Sequence, residues 1–96
     1  MVRLGLFVRM KAKSGKEAEV AKFLEGALPA AQGEGQTPVW FAVRFGPNEF
    51  GIFDAFSDDA GRKAHLNGPI AAALMKRAAE LFAEPPKTLL AVKVTV

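Results

Sequence analysis

The chain has 96 residues, of which 24% are charged, and its formal net charge is +3. This length is typical of one domain, so we expect a single domain over residues 1–96. The sequence contains no cysteine, which excludes a disulfide framework and a thiolate nucleophile. Its lysines and arginines are spread along the chain without a basic stripe, so we expect no nucleic-acid partner.

No apolar run approaches the roughly 18 residues that a membrane span needs. The apolar run near the N-terminus is broken by Arg9 and Lys11, too early for a signal peptide. We therefore expect a cytoplasmic protein without a membrane partner.

The first elements follow from hydrophobic periodicity. Apolar side chains alternate over residues 4–12, which predicts a strand. Ser14 and Glu17 then have the spacing of a capping box, so a helix is predicted to begin there. Apolar residues recur at helical spacing over 20–28, and Pro29 cannot continue the hydrogen-bond ladder. We expect this helix to end near Pro29.

A polar, glycine-rich loop over residues 33–38 separates this helix from two segments of strand-forming residues, 39–45 and 50–56. The link between these segments reads Gly-Pro-Asn-Glu, a turn sequence. The two segments therefore predict an antiparallel hairpin.

The second half of the chain predicts a helical region followed by a last strand. Ser57 is placed to cap a helix, and Pro69 suits the first turn of a new helix. Residues 85–86 are both proline and end that helix, and residues 88–96 form the predicted strand. The order β-α-β-β-α-β predicts a ferredoxin-like α+β fold, a four-stranded antiparallel sheet with helices on one face.

The predicted sheet is apolar on both faces, although helices can cover only one of them. Strands 39–45, 50–56 and 88–96 all carry apolar residues at both parities. The uncovered face of such a sheet is normally polar, and a large exposed apolar patch usually marks an interface. We therefore expect a homodimer in which two sheets pack face to face at about 10 Å.

The stretch from Phe50 to Pro69, FGIFDAFSDDAGRKAHLNGP, resembles the signature of the antibiotic biosynthesis monooxygenase superfamily. It combines an aromatic-rich strand with an acidic residue, an N-cap, a short helix ending in His65, and a second helical segment. The resemblance spans essentially the whole chain. Asp54 stands where glutamate is common in the family, and the chain has no tyrosine.

The resemblance implies a dimeric α/β barrel with a small-molecule pocket between sheet and helices. Characterised members oxidise polycyclic phenols or quinols with O₂ and without metal or flavin. Others isomerise small signalling molecules, degrade haem or have no known activity. Haem-degrading members carry a tryptophan ten residues before the histidine, where this chain has Ala55. They also carry an asparagine in the first strand, which is absent here, so we do not expect haem degradation.

His65 is the only histidine and the first candidate catalytic residue, because its pKa normally lies near neutral pH. It can act as the base that deprotonates a phenol, or it can be a structural residue at a helix end. Asp54 is a carboxylate among aromatics and needs a partner if it is buried. It can orient His65 or pair with Arg44 or Arg9. Which face the helices cover decides whether Asp54 points at His65 or at a partner subunit, and the sequence leaves this open.

Three aromatic residues, Trp40, Phe7 and Phe53, are candidate walls of a pocket for a planar substrate, with core packing as the alternative. Arg44 or Arg9 can stabilise a developing oxyanion, or simply lie at an edge of the sheet. One histidine without cysteine does not make a metal site, so we expect no metal and no cofactor.

The favoured hypothesis is a cofactor-independent monooxygenase acting on a small aromatic or quinol substrate. The alternatives are a non-catalytic dimer that binds a small ligand or has a stress-related role, and an isomerase of a small carbonyl compound.

Overall fold

The computed structural model describes residues 1–95 and has four strands and three helices. In chain order they are β1 (Leu4–Lys11), α1 (Glu17–Gly33), β2 (Val39–Arg44), β3 (Glu49–Phe56), α2 (Asp59–Leu66), α3 (Pro69–Leu81) and β4 (Lys87–Ala91). The strands form one antiparallel sheet in the order β2-β3-β1-β4. The predicted ferredoxin-like fold is therefore confirmed. Within residues 1–95, none of the helices combines the length and apolarity that crossing a membrane would require.

The register of the strands decides which side chains face the helices. Asp54 lies between Leu6 of β1 and Trp40 of β2, so these three side chains share one face. That face carries the core, in which strand residues pack against buried apolar residues of α1 and α3. The strand and helix members are Leu6, Val8, Met10, Phe50, Ile52 and Phe56 with Val20, Leu24, Leu74 and Leu81. The helices thus cover the Asp54 face, which settles the question that the sequence left open.

The opposite face of the sheet is not covered by any helix in the described part of the chain. Phe53 is flanked there by Phe7 of β1 and Phe41 of β2, and Phe41 is 59% exposed. The rings of Phe7 and Phe45 pack edge to face with their centroids 6.3 Å apart. They lie over Gly51, where a Cβ atom would be only 3.0 Å from Phe7. We call this surface the open face.

Two predictions about α1 are wrong. The helix does not end near Pro29 but continues to Gly33. A proline inside a helix removes a single ladder hydrogen bond, and continuing the helix buries Ala31. Ser14 does not form a capping box, because the N-cap residue is Lys16 and no side chain caps the helix. Glu17 Oε1 instead accepts a hydrogen bond from the Gly15 backbone N–H at 2.9 Å.

Two further boundaries differ from the prediction. Asp58, not Ser57, caps α2, because its Oδ1 accepts a hydrogen bond from the Gly61 N–H at 2.8 Å. The last strand ends at Ala91, whose carbonyl accepts from Arg62 Nη1 at 3.0 Å. The final residue of the predicted strand 88–96, Val96, lies outside the described residues.

Candidate functional site

The centre of the candidate site is His65, the buried histidine of α2. Its ring is 5% exposed and lies between two carboxylates. Nδ1 is 2.6 Å from Glu34 Oε1, and Nε2 is 2.6 Å from Asp54 Oδ2. Thr37 Oγ1 donates a further hydrogen bond to Glu34 Oε1 at 2.9 Å. We refer to Asp54, His65 and Glu34 as the acid–histidine cluster.

The two contacts of the imidazole ring differ in quality. The contact between Nδ1 and Glu34 has hydrogen-bond geometry. The contact between Nε2 and Asp54 has the distance of an ion pair but not the alignment of a full hydrogen bond. Both oxygens of Asp54 are buried and lack a well-aligned donor within residues 1–95. Asp54 is therefore a desolvated carboxylate with a nearby cation and spare capacity to accept a proton.

The electrostatics of the cluster follow from burial and from the two carboxylates. Burial raises the pKa of Asp54, and the adjacent His65 offsets only part of that increase. Burial alone would lower the pKa of His65, but the carboxylates of Asp54 and Glu34 outweigh it, and the pKa is raised. The ring thus lies between two carboxylates that favour its protonated form.

The contacts of the ring bear on which residue can act as a base. Both ring nitrogens of His65 already face carboxylate oxygens, so neither has a lone pair directed at the inner cavity. A carboxylate whose pKa is raised by burial is a stronger base than an exposed one. The geometry therefore favours Asp54 over His65 as the group that accepts a proton.

A cavity of about 220 Å³ lies beside the cluster, between the sheet and helices α2 and α3. We call it the inner cavity. Among the lining residues within 1–95, Asp54 and His65 are the ionisable ones, and Thr88 is the one other polar residue. The remaining walls are apolar and come from β1, β3, α2, α3 and the residue just before β4: Leu6, Val8, Ile52, Leu66, Ile70, Ala71, Leu74, Met75 and Pro86. The exposed side chains of Leu66 and Met75 form its outer border.

Of the other predicted site residues, Trp40 shares the helix-covered face with Asp54, as its direct neighbour on β2. It lines a cleft of about 480 Å³ on the outer side of the cluster, together with Glu34 and Thr37. We call this the outer cleft. Its indole Nε1 is buried and has no hydrogen-bond acceptor among the described residues. Trp40 is thus close to the cluster but does not line the inner cavity.

The structure does not bring Arg44 to the cluster. Arg44 lies opposite Phe50, four residues along β3 from Asp54, which corresponds to about 13 Å of strand. Its guanidinium donates hydrogen bonds to the carbonyls of Gly46 and Pro47 at 3.1 and 2.7 Å. Arg44 therefore closes the turn between β2 and β3.

Phe7, Phe53 and Arg9 also lie away from the cluster, on the open face. Successive residues of a strand point to opposite faces of the sheet, so odd-numbered residues of β1 and β3 cannot reach the inner cavity. Within one protomer, these three residues cannot line the same pocket as His65 and Asp54.

Glu34 and Thr37 are members of the site that the sequence did not predict. Glu34 lies between Gly33 and Gly35 in a loop that gave no periodic signal, and it is 31 residues from His65 in sequence. Only the folded path of the loop brings its carboxylate to the ring. The sequence did indicate that a buried carboxylate here needs a partner, but it did not indicate two carboxylates on one ring.

No protein-family profile matches the chain, and no curated protein sequence matches it significantly. A solved structure of a protein of unknown function from Nitrosomonas europaea is 55% identical and has a TM-score of 0.96. The match covers 100% of this chain and 92% of that protein. The chain belongs to the same family as this Nitrosomonas protein.

More distant structures show the fold. An antibiotic biosynthesis monooxygenase is 13% identical with a TM-score of 0.82, over 96% of this chain and 99% of that one. A protein from Mycobacterium tuberculosis is 10% identical with a TM-score of 0.87, over 98% and 97% of the two chains. The chain thus has the antibiotic biosynthesis monooxygenase fold, as the resemblance of residues 50–69 predicted.

The cluster makes the stability of this monooxygenase-fold protein depend on pH. Since the pKa of His65 is raised in the folded state, the folded chain keeps a proton that the unfolded chain releases above about pH 6.5. The contribution of His65 to the free energy of unfolding should be fully present below that pH and fall as pH rises towards the folded-state pKa, by at most about 1.4 kcal/mol per pH unit. The raised pKa of Asp54 acts in the same direction from about pH 3.8 upward.

Urea unfolding between pH 5.5 and 9 measures this dependence. His65→Gln is the control, because it removes the only histidine, and its stability should be flatter above pH 6.5. A wild-type stability that rises over this range would contradict the prediction.

Proposed function

We propose that this chain catalyses the cofactor-independent oxygenation of a small quinol or phenol in the inner cavity. In this proposal Asp54 is the base, and protonated His65 is the counterion of its carboxylate. The observation that carries the proposal is a desolvated carboxylate 2.6 Å from the imidazole ring of His65, at the wall of a largely apolar cavity. The monooxygenase name of one structural relative supports the reaction class.

The proposed reaction requires only a base and a cavity from which water is excluded. Transfer of the hydroxyl proton to Asp54 gives an electron-rich ring anion that can react with O₂. For a quinol, the net reaction is quinol plus O₂ to hydroxyquinone plus water. One oxygen atom enters the ring, the other leaves as water, and the ring supplies all four electrons. The apolar walls exclude water, which strengthens the electrostatic interactions at the carboxylate.

The size of the inner cavity supports a single-ring substrate. Its volume of about 220 Å³ is below the roughly 300–1,000 Å³ of pockets that hold drug-sized ligands. A quinol with one ring is therefore a better fit than the polycyclic phenols that some members of the superfamily oxidise.

We also propose that the protein acts as a homodimer through the open face. This face carries a cluster of aromatic side chains, including Phe41 and Phe45, that are largely exposed in the protomer. It is not covered by any of the helices within residues 1–95. A second copy would cover it with an identical surface, as two-fold dimers do.

Oxygen consumption and product analysis test the proposed reaction. The purified protein is assayed against single-ring and polycyclic quinols, and we expect consumption of O₂ with the single-ring compounds. Asp54→Asn should reduce the rate at least about 100-fold, because it removes the base. Asp59→Asn is the matched control, since Asp59 is an exposed carboxylate paired with Arg62 and Lys63 at the surface.

Other outcomes would contradict the oxygenase proposal. Equal rates for wild type and Asp54→Asn would remove Asp54 from the mechanism. Conversion of a small carbonyl compound without O₂ consumption would favour an isomerase. Thermal stabilisation by a quinol without any product would favour a ligand-binding protein.

A further inference from the structure

Glu34 differs from the other two members of the cluster in its position. Asp54 is 0% exposed and His65 is 5% exposed, whereas the side chain of Glu34 is 18% exposed. Asp54 and His65 line the inner cavity, and Glu34 lines the outer cleft instead. Glu34 therefore contacts the ring of His65 from the side opposite the inner cavity.

The local structure holds this carboxylate in one place. Glu34 is the C-cap of α1, and its backbone N–H donates to the Ala31 carbonyl at 3.1 Å. Its own carbonyl accepts from the backbone N–H of Thr37 at 3.1 Å, while its side chain accepts from the Thr37 hydroxyl. Backbone and side chain thus close the same turn, and Thr37 is buried. A carboxylate fixed in this way can fix the ring that it binds.

We propose that Glu34 is a positioning residue, which holds His65 as an oriented imidazolium so that a proton can be exchanged at Asp54 alone. The part of this inference that concerns proton exchange with a substrate at Asp54 rests on the proposed function. When Asp54 accepts a proton, its negative charge disappears, and a buried imidazolium would lose its only counterion if Glu34 were absent. With Glu34 in place, the ring keeps one charged partner before and after the step, so His65 does not have to move or release a proton.

Among the residues that the structure describes, Asp54 and Glu34 are the charged groups that face the ring. From β3 the facing group is Asp54, and from the loop after α1 it is Glu34. Phe56 lies 5.5 Å from the ring, and α3 contributes only apolar residues to the adjacent cavity wall. On α2 itself, Lys63 pairs with Asp59 at the surface, and Arg62 pairs with Asp59 and donates to the carbonyls of Gly5 and Ala91.

Nitrogen NMR of the imidazole tests the inference directly. His65 is the only histidine, so the ¹⁵N spectrum contains a single imidazole and needs no assignment. At pH 7.5 the wild-type protein should show both ring nitrogens protonated. A neutral ring at that pH would overturn the proposal, whether or not any variant folds.

Glu34→Gln keeps the shape of the side chain but removes its charge. We expect the titration midpoint of His65 to move to lower pH while the amide spectrum is largely preserved. The matched control is Glu25→Gln, the same substitution at an exposed position of α1, and it should titrate as wild type. An unchanged midpoint in Glu34→Gln would also overturn the proposal.

This test needs no substrate, so it separates the two proposals. A shifted midpoint together with no oxygen consumption in the wild type would support the role of Glu34 and contradict the oxygenase. Oxygen consumption in the wild type, with an unchanged His65 midpoint and an unchanged pH–rate profile in Glu34→Gln, would contradict the role of Glu34 and leave the oxygenase standing.

Discussion

Replacement of His65 by leucine is expected to lower the free energy of unfolding by about 3–5 kcal/mol at pH 7.5. The substitution removes the cation that lies 2.6 Å from Asp54 and leaves that fully buried carboxylate without a partner. Small domains have a total stability of only about 5–15 kcal/mol, so this single change should remove a large fraction of it. Urea unfolding of both proteins at one protein concentration measures the difference.

The matched control is the double variant His65→Leu/Asp54→Leu. Replacing both partners of a buried ion pair by apolar residues is often neutral or stabilising, so the double variant should recover most of the loss. Glu34 then remains, but it is less buried and keeps the hydroxyl of Thr37 as a donor. A double variant as unstable as the single one would show that His65 contributes through packing and not through its charge.

The second large effect is expected at the open face, where Phe41→Glu should raise the dimer dissociation constant at least about 100-fold. Burial of a phenylalanine contributes about 1.5–3 kcal/mol, and a two-fold interface contains each residue twice. The minimum loss is therefore about 3 kcal/mol, or roughly two factors of ten in the dissociation constant. Because Phe41 is 59% exposed in the protomer, the substitution should leave the fold intact.

Sedimentation velocity over a concentration series measures this equilibrium. Met75→Glu is the control, because Met75 is an apolar residue that is 70% exposed on α3, which packs on the opposite, helix-covered face of the sheet. It should dimerise as the wild type does. A wild-type protein that is monomeric at micromolar concentration would contradict the dimer.

The fold was predictable because its signals are local. Alternation over residues 4–12 and the strand-forming residues around the turn at 46–49 predicted three strands, and Pro69 marked the beginning of α3. The errors lie at the ends of elements, where several residues compete for one role. Ser57 and Asp58 can both cap α2, for example, and only the folded backbone selects Asp58.

The candidate site was predictable only as a set of residue types. His65 and Asp54 could be named because His65 is the only histidine and Asp54 is a carboxylate within an aromatic-rich strand. Their contact could not be predicted, because it depends on which face of the sheet the helices cover. The same choice placed Phe7 and Phe53 on the other face, away from His65.

The sequence by itself thus determined the element order, the α+β class and the presence of apolar residues on both faces of the sheet. These properties depend on periodicity and on turn-forming residues, which act within a few positions along the chain. The tertiary structure alone decided that Asp54, His65 and Glu34 meet. Their side chains come from β3, from α2 and from the end of α1. Local sequence patterns do not predict the distances between elements that lie far apart along the chain.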